Sequence, residues 1–117
     1  MKTKWFGIYD RGILEKERIH FQAISDLELE YYLVLDTNVI NANQVGAGNR
    51  NSYWFTPLKV KAGENVVVYS RAGVYSKEVR PDGSVFHFLF RGLSTPIYQQ
   101  PDSRAVLFEL GSWNTTG

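Results

Sequence analysis

Two histidines are the residues of this 117-residue chain whose side chains best suit acid–base or nucleophilic chemistry. Nucleophilic catalysis usually pairs a histidine with a serine or a cysteine, and the chain contains no cysteine. His20 lies in an alternating early segment, and His87 stands between two phenylalanines. Side chains on adjacent strands lie about 5 Å apart, which would allow a metal site, but no ligand spacing favours one. We therefore interpret both histidines as surface or hydrogen-bonded core residues.

Glu28 and Glu30 are the carboxylates whose spacing resembles that of a glycosidase acid/base pair. On one strand face, residues i and i+2 lie roughly 7 Å apart, which is within the range of such pairs. A solvated sheet face, or an edge protected against aggregation, produces the same pattern, and we favour this structural interpretation. Asp36, Asp82 and Asp102 precede or occupy predicted turns, where an aspartate caps its own backbone. The sequence thus predicts no catalytic residue, no metal site and no cofactor.

Phosphate or nucleic-acid binding is weakly supported. The motif Gly46-Ala47-Gly48 begins like a phosphate-binding glycine loop, but it lacks the third glycine and the following helix. Basic residues alternate with aromatic ones near Lys4 and Trp5, as they do in proteins that bind single strands. The formal charge is only +1, however, with 13 basic against 12 acidic residues. We therefore do not expect nucleic acid as a partner.

An excess of aromatic residues is the strongest compositional feature: three Trp, seven Tyr and seven Phe make up 15% of the chain. Successive side chains of a β-strand point to opposite faces. If only one face is buried, a strand cannot bury every ring in residues 53–55 and 86–90. A large aromatic core is one explanation of the excess. Rings left at the surface are typical of protein or carbohydrate contacts. Because Trp, Tyr and Arg dominate interface energetics, the predicted anchors for a partner are Trp54, Tyr53, Arg50 and Tyr98.

The elements that must position these side chains are β-strands, because the hydrophobic period is two along almost the whole chain. The clearest case is residues 27–35, where the odd positions are Leu, Leu, Tyr, Leu and Leu, so we predict one strand that buries its odd face. A helix is expected only as a brief turn within residues 10–16. The other predicted strands are residues 5–9, 16–24, 53–61 with a break at Pro57, 65–70, 74–79, 84–90 and 104–110.

Turn signals between these strands complete the prediction of the fold. Arg80-Pro81-Asp82-Gly83 predicts a β-hairpin loop, since proline presets the turn dihedral and glycine accepts a positive φ. Residues 38–52 are rich in Gly and Asn and predict a long loop, which in compact domains is usually functional or mobile. Seven or eight short strands at this spacing indicate an all-β, immunoglobulin-like antiparallel β-sandwich, formed by a single domain over residues 1–117.

The sequence contains no segment typical of targeting or of a membrane span. Charge returns at Asp10, too early for the apolar core of a secretory signal. No run approaches the roughly 18 apolar residues that a span requires. The lack of cysteine fits a reducing compartment. We therefore predict a cytoplasmic protein with no membrane partner.

The second half of the chain resembles a known domain family. Residues 61–73 form a Gly-Glu turn and a Val-rich strand, residues 86–98 an aromatic strand and an apolar loop, and residues 101–109 a strand opened by Asp102. In this order the segments resemble the lamin-tail domain, especially its bacterial versions. Residues 38–52 stand where the family has a Leu-Ser-Gly-Trp segment. The resemblance implies an immunoglobulin-like β-sandwich that binds or tethers and has no catalytic residues.

The leading functional prediction is a non-enzymatic interaction module that presents residues 38–52 and neighbouring aromatic side chains to a protein partner. A carbohydrate-binding module is the alternative, with Trp5, Trp54 or Trp113 as the stacking platform. An enzyme that acts through the paired carboxylates or through His87 is the third hypothesis.

Overall fold

The computed structural model of the chain describes residues 2–41, 44–45 and 51–117. Within these residues the fold is nearly all-β, as predicted, and the one helical element is a 3-10 turn, Leu29–Tyr31. None of the described residues belongs to a helix long and apolar enough to cross a membrane. The strands of the first half are β1 (Thr3–Tyr9), β2 (Arg18–Ala23), β3 (Leu27–Glu28), β4 (Tyr32–Asn41), β5 (Gln44–Val45) and β6 (Ser52–Trp54). The second half adds β7 (Lys59–Val60), β8 (Asn65–Tyr69), β9 (Ser76–Val79), β10 (Val85–Phe90) and β11 (Ser103–Glu109).

Five strands form one sheet in the order β1-β2-β8-β10-β9. All neighbours are antiparallel except β8 and β10, which pair in parallel from Asn65 opposite Phe86 to Tyr69 opposite Phe90. The sheet is thus mixed, whereas the sequence predicted antiparallel pairing throughout. The parallel pair arises because β9 takes the sheet edge and its hairpin returns β10 into the space between β9 and β8.

The second sheet is built around β4. One edge of β4 pairs with β11, beginning at Tyr32 opposite Glu109. The other edge pairs with β6 near its start and with β5 near its end. β3 and β7 add a separate two-residue ladder, in which Glu28 lies opposite Lys59. The described residues thus form more and shorter strands than predicted, because turns divide several of the predicted ones.

A turn interrupts the strand that the sequence predicts over residues 27–35. β3 ends before the 3-10 turn, and β4 begins after it. The turn shifts the alternation by one residue, so β4 buries Tyr32 and Val34, whereas Tyr31 is 39% exposed. A shift of one residue moves every later side chain to the opposite face. The predicted burial of the odd positions is therefore correct before the turn and wrong after it.

The hairpin predicted around Arg80 is confirmed. β9 and β10 pair antiparallel on either side of it, and the N–H of Gly83 donates a hydrogen bond to the carbonyl of Arg80. Gly83 has a φ of 87°, which glycine adopts without steric cost. The Asp82 carboxylate accepts a hydrogen bond from the N–H of Ser84, as expected of an aspartate in a turn.

The long loop predicted over residues 38–52 is partly strand. β4 continues to Asn41 and pairs with β5, and β6 begins at Ser52. Residues 42, 43 and 46–50 lie outside the described residues, and the predicted anchor Arg50 lies outside them as well. The described part of this segment is therefore a β-ribbon that continues the second sheet.

The hydrophobic core lies between the two sheets. β8 is buried on both faces along most of its length, as its run of valines predicts. Phe55 and Tyr98, from connecting segments, close the core at its side. The core residues from the strands of the five-stranded sheet are Ile19, Phe21, Ala23, Val66, Val68 and Leu89, and those from the second sheet are Tyr32, Val34 and Leu107.

Glu17 is a carboxylate that is fully buried just before β2. Its oxygens accept hydrogen bonds from the backbone N–H groups of Gly12 (3.0 Å), Ile97 (2.8 Å) and Tyr98 (2.9 Å) and from the hydroxyl of Ser70 (2.5 Å). Burial alone opposes the charge, but the four hydrogen bonds outweigh it and lower the pKa of Glu17 below its usual value. Glu17 thus fixes the turn before β2 to the end of β8 and to the segment before β11.

We expect Glu17→Gln to lower the free energy of unfolding by about 3 kcal/mol at neutral pH, because an amide cannot accept hydrogen bonds from all four donors. Since the pKa of Glu17 is lower in the folded protein, its contribution is present above the ordinary value of 4.5 and is lost as the pH falls through the folded value. The difference between the variant and the wild type should therefore shrink in acid.

Urea unfolding from about pH 7 to about pH 3 measures this difference. The matched control is Glu15→Gln, which changes an exposed carboxylate two residues away. An equal loss of stability at every pH would contradict the prediction.

Candidate functional site

Two residues considered in the sequence, Asp36 and Tyr98, meet in a buried polar cluster. Arg91, which follows β10, donates two hydrogen bonds to the Asp36 carboxylate in β4, at 2.9 Å and 2.8 Å. The Tyr98 hydroxyl donates a third, at 2.5 Å. Both side chains of the ion pair are buried. Asp36 is therefore the partner of an arginine in the middle of a strand, and its prediction as a turn residue is wrong.

Tyr98 is not available as a surface anchor, because only 1% of its area is exposed. Its backbone N–H donates to Glu17, and its hydroxyl donates to Asp36. Burial and the charge of Asp36 raise the pKa of the Tyr98 hydroxyl far above its usual value. The prediction that Tyr98 contacts a partner is therefore wrong. Nothing in the local sequence around Tyr98 indicates that its backbone N–H and its hydroxyl both form hydrogen bonds inside the protein.

Tyr53 lies in β6 and is half-buried. Its ring packs edge-on against Phe55, with the centroids 5.0 Å apart, and the Arg91 guanidinium lies 5.6 Å from the ring centroid. Burial raises the pKa of Tyr53, although the positive charge of Arg91 acts in the opposite direction. Tyr53 therefore serves mainly the packing of the second sheet and offers only part of its ring to a partner.

Trp54 is the predicted anchor that lies at the surface, with 46% of its area exposed. Its indole N–H donates to the carbonyl of Glu30 at 2.8 Å, which fixes the orientation of the ring. Trp113, which is 52% exposed, packs edge-on against it, with the centroids 4.9 Å apart. We call these two indoles the tryptophan pair. Trp5 lies apart from them on β1, with its ring edge-on to Phe21 of the core.

A cleft of about 560 Å³ opens where the 3-10 turn, the β3–β7 ladder and the end of β11 meet. Leu27, Tyr32 and Val60 line it with apolar surface, and the exposed Tyr31 adds an aromatic ring. Tyr31 directly follows the residue that accepts the hydrogen bond of Trp54, so the cleft and the tryptophan pair are neighbours. The cleft joins segments distant in the chain, which explains why no local pattern in the sequence indicates it.

Charged side chains of both signs surround the cleft. Glu109 accepts a hydrogen bond from the Tyr32 hydroxyl at 2.9 Å, which together with the backbone N–H of Lys2 lowers the pKa of Glu109. In the described part of the chain, the ammonium groups of Lys59 and Lys61 form no ion pair. The ammonium groups of these two lysines are therefore free to pair with a ligand, although the lining as a whole carries as many carboxylates as lysines. Its charged lining residues are Lys2, Lys59, Lys61, Asp26, Glu28 and Glu109.

Glu28 and Glu30 do not share a strand face. Glu28 belongs to β3 and lies opposite Lys59, whereas Glu30 belongs to the 3-10 turn. The spacing of about 7 Å assumed an extended backbone through both residues, and the turn removes that premise. The proposed acid/base pair therefore loses its structural basis.

Both histidines are hydrogen-bonded, as interpreted from the sequence. His87 is buried, with Nε2 2.8 Å from Glu64 and Nδ1 2.7 Å from the Tyr75 hydroxyl. His20 lies 3.0 Å from the side-chain oxygen of Asn65, and burial lowers the pKa of His20. Over the described ranges, no three His, Asp or Glu side chains come together in a way that could hold a metal ion.

Aromatic rings also cover the outer face of the five-stranded sheet. Phe86, Phe88 and Phe90 alternate with the core residues of β10 and are half-buried on this face. The guanidinium of Arg80 lies 3.7 Å from the ring centroid of Phe86, and that of Arg71 lies 4.9 Å from that of Phe90. The predicted excess of rings over one buried face is confirmed here, and cationic side chains of the same chain cover part of it.

We expect Tyr98→Phe to lower the free energy of unfolding by about 1–2 kcal/mol, because it removes the hydroxyl that donates to the buried Asp36. The exposed Tyr31→Phe is the control and should change stability by less than about 0.5 kcal/mol. Urea unfolding of the wild type and the two variants checks this. A Tyr98→Phe variant as stable as the wild type would contradict the structural role of the hydroxyl.

No protein-family model matches the chain, and no curated protein or solved structure matches it either. The likeness to the lamin-tail domain therefore stays a prediction from the sequence.

Proposed function

We propose that this chain is a non-enzymatic binding module, similar to the lamin-tail domain, that holds a segment of a protein partner on the tryptophan pair and in the adjoining cleft. The observation that carries the proposal is the exposure of two contacting indoles, Trp54 and Trp113. Burial of such large apolar side chains would stabilise the fold, so their shared exposure favours a role outside it. Trp is also the residue type most enriched among binding hot spots.

The fixed orientation of the Trp54 ring supports tight binding. The hydrogen bond from the Trp54 indole to the carbonyl of Glu30 orients the Trp54 ring before any partner arrives, and Trp113 packs edge-on against it. Ordering a side chain at an interface costs about 0.5–1.5 kcal/mol, and a preorganised side chain avoids most of that cost. Trp54 therefore presents an oriented apolar anchor to a partner.

The adjoining cleft supports an extended segment as the ligand. Its apolar lining and its charged surround follow the usual arrangement of an interface, which has an apolar centre and a polar rim. The formal charge of the chain is only +1, so long-range attraction contributes little to the encounter. Affinity then depends on contact area and on local charge pairs with Lys59 and Lys61.

Residues 38–52 extend the proposed contact. The segment leads directly into β6, which carries Trp54. The sequence also places Arg50 in this segment, and arginine is one of the residue types enriched among binding hot spots.

A carbohydrate is the second candidate ligand. The observation that favours it is the exposed ring of Tyr31, which lines the cleft together with three carboxylates, Asp26, Glu28 and Glu109. An aromatic face combined with a few polar groups is a usual composition for a small-molecule site.

Affinity capture with the immobilised chain tests the proposal. We expect Trp54→Ala and Trp113→Ala to reduce the recovery of one specific protein by about tenfold or more, since truncation of a hot spot costs about 2 kcal/mol. Trp5→Ala is the matched control, because it removes an indole of similar exposure from the other sheet. The thermal unfolding of each variant must match that of the wild type for the comparison to hold.

The same variants separate the two candidate ligands. Capture that depends on the tryptophan pair, without glycan binding, supports the protein partner. Binding on a glycan array that is lost in both Tyr31→Ala and Trp54→Ala supports the carbohydrate instead. If neither ligand class responds to the tryptophan pair, the proposed function is wrong.

A further inference from the structure

Three side chains from distant parts of the chain form a continuous hydrogen-bonded series. Glu64 lies in the turn before β8, His87 lies in β10, and Tyr75 directly precedes β9. His87 Nε2 is 2.8 Å from Glu64 Oε1, and His87 Nδ1 is 2.7 Å from the Tyr75 hydroxyl. A carboxylate accepts hydrogen bonds only, so Nε2 must donate to Glu64. In the neutral imidazole Nδ1 is then the acceptor, and the Tyr75 hydroxyl donates its proton to it.

This order of groups is the one that activates a hydroxyl nucleophile. In such a series a carboxylate orients an imidazole, and the imidazole accepts the proton of the hydroxyl as the hydroxyl attacks. Serine and cysteine are the usual nucleophiles of such a series, and here a tyrosine occupies that place. The sequence suggested His87 as one possible residue of an enzyme, and the structure adds Glu64 as the carboxylate that contacts it.

Burial differs along the series in the way that such chemistry requires. His87 is 2% exposed, so water does not compete for its ring nitrogens. Tyr75 is 45% exposed, so part of its side chain faces solvent while its hydroxyl contacts His87. Glu64 is held in place by a second hydrogen bond, which it accepts from the N–H of Lys61 at 3.2 Å. The imidazole thus has a fixed orientation and a fixed tautomer.

The charge states also fit. Burial opposes the charge of Glu64, but its hydrogen bonds with His87 and Lys61 and the charge of Lys77 lower the pKa of Glu64, so it remains a carboxylate. Burial and the nearby charge of Glu64 raise the pKa of the Tyr75 hydroxyl. Tyr75 therefore keeps its proton at rest, and reaction requires that the imidazole remove it during the attack.

We propose that Tyr75 is a nucleophile for acyl transfer, with His87 as its general base and Glu64 as the residue that positions His87. The Tyr75 oxygen attacks the carbonyl carbon of an activated ester, and its proton passes to His87 Nδ1. The bond between the carbonyl carbon and the leaving oxygen breaks, the leaving group takes up the proton, and an ester on Tyr75 remains. This activity goes beyond the proposed binding function, in which the chain performs no chemistry. The reacting groups, Tyr75, His87 and Glu64, lie outside the tryptophan pair and the cleft lining, and only the backbone N–H of Lys61 is shared with the cleft.

Other tyrosines of the chain serve as internal controls. Tyr9 and Tyr31 are each 39% exposed, which is close to the exposure of Tyr75. The Tyr9 hydroxyl lies 3.3 Å from the backbone carbonyl of Phe6, and in the described residues no imidazole accepts a hydrogen bond from either control hydroxyl. A reagent that acylates by exposure alone would modify the three residues at similar rates.

The experiment treats the full chain with p-nitrophenyl acetate and follows the acetylation of each tyrosine by peptide mass spectrometry. General-base assistance contributes about 10²- to 10⁴-fold, so we expect Tyr75 to react at least about tenfold faster than Tyr9 and Tyr31. A solvent deuterium isotope effect should accompany the reaction at Tyr75 and not at the controls. Equal acetylation rates at the three tyrosines of the wild-type protein would by themselves overturn the proposal.

Variants then assign the roles. Tyr75→Phe should remove the rapid release of p-nitrophenol. Glu64→Gln retains an oxygen acceptor for His87 and removes the charge, and it should lower the rate and the isotope effect at Tyr75 while the rates at Tyr9 and Tyr31 stay unchanged. His87→Gln should bring Tyr75 to the rate of the controls. Unchanged selectivity for Tyr75 in folded Glu64→Gln would overturn the role of Glu64. Unchanged selectivity in folded His87→Gln would overturn the role of the base.

Discussion

Two carboxylates that have no contact with water, Glu17 and Asp36, constrain the whole fold, because a buried charge without partners costs several kcal/mol. Tyr98 serves both: its backbone N–H donates to Glu17 and its hydroxyl donates to Asp36. Arg91 neutralises Asp36 with two further hydrogen bonds. These four residues join the turn before β2, the strand β4, the end of β10 and the segment before β11. The two sheets are therefore connected by polar contacts as well as by apolar packing.

Local patterns in the sequence predicted the parts of the fold that depend on neighbouring residues. The β9–β10 hairpin follows from the turn chemistry of Asp82 and Gly83, and the burial of β8 follows from its valines. The register of β4 does not follow from local pattern, because contacts with distant segments stabilise the 3-10 turn before it. The N–H of Leu29 donates to the carbonyl of Leu58, and the carbonyl of Tyr31 accepts from the N–H of Leu110.

The polar residues that matter most were missed for a related physical reason. Glu17 and Asp36 look like ordinary surface carboxylates in the sequence, since their partners lie 53 to 81 positions away, apart from Gly12, which is five positions from Glu17. The partners of His87 are Tyr75, 12 positions earlier, and Glu64, 23 positions earlier, and the strand β8 and a turn separate these two partners from each other. One local signal existed: Asp36 continues the buried alternation of Tyr32 and Val34, so it occupies a core position once the shift at the 3-10 turn is known.

Two groups of aromatic rings outside the core differ in how the chain treats them. On the outer face of the five-stranded sheet, guanidinium groups lie over the rings of Phe86 and Phe90, so the chain itself covers this apolar surface at little cost in solubility. In the described residues no cationic side chain lies over Trp54 or Trp113. Their rings touch each other and remain open to solvent. Composition alone does not distinguish these two groups of rings. Their contacts with arginine do, because arginine side chains lie over the phenylalanines and not over the tryptophans. This difference favours the tryptophan pair as the surface that a partner covers.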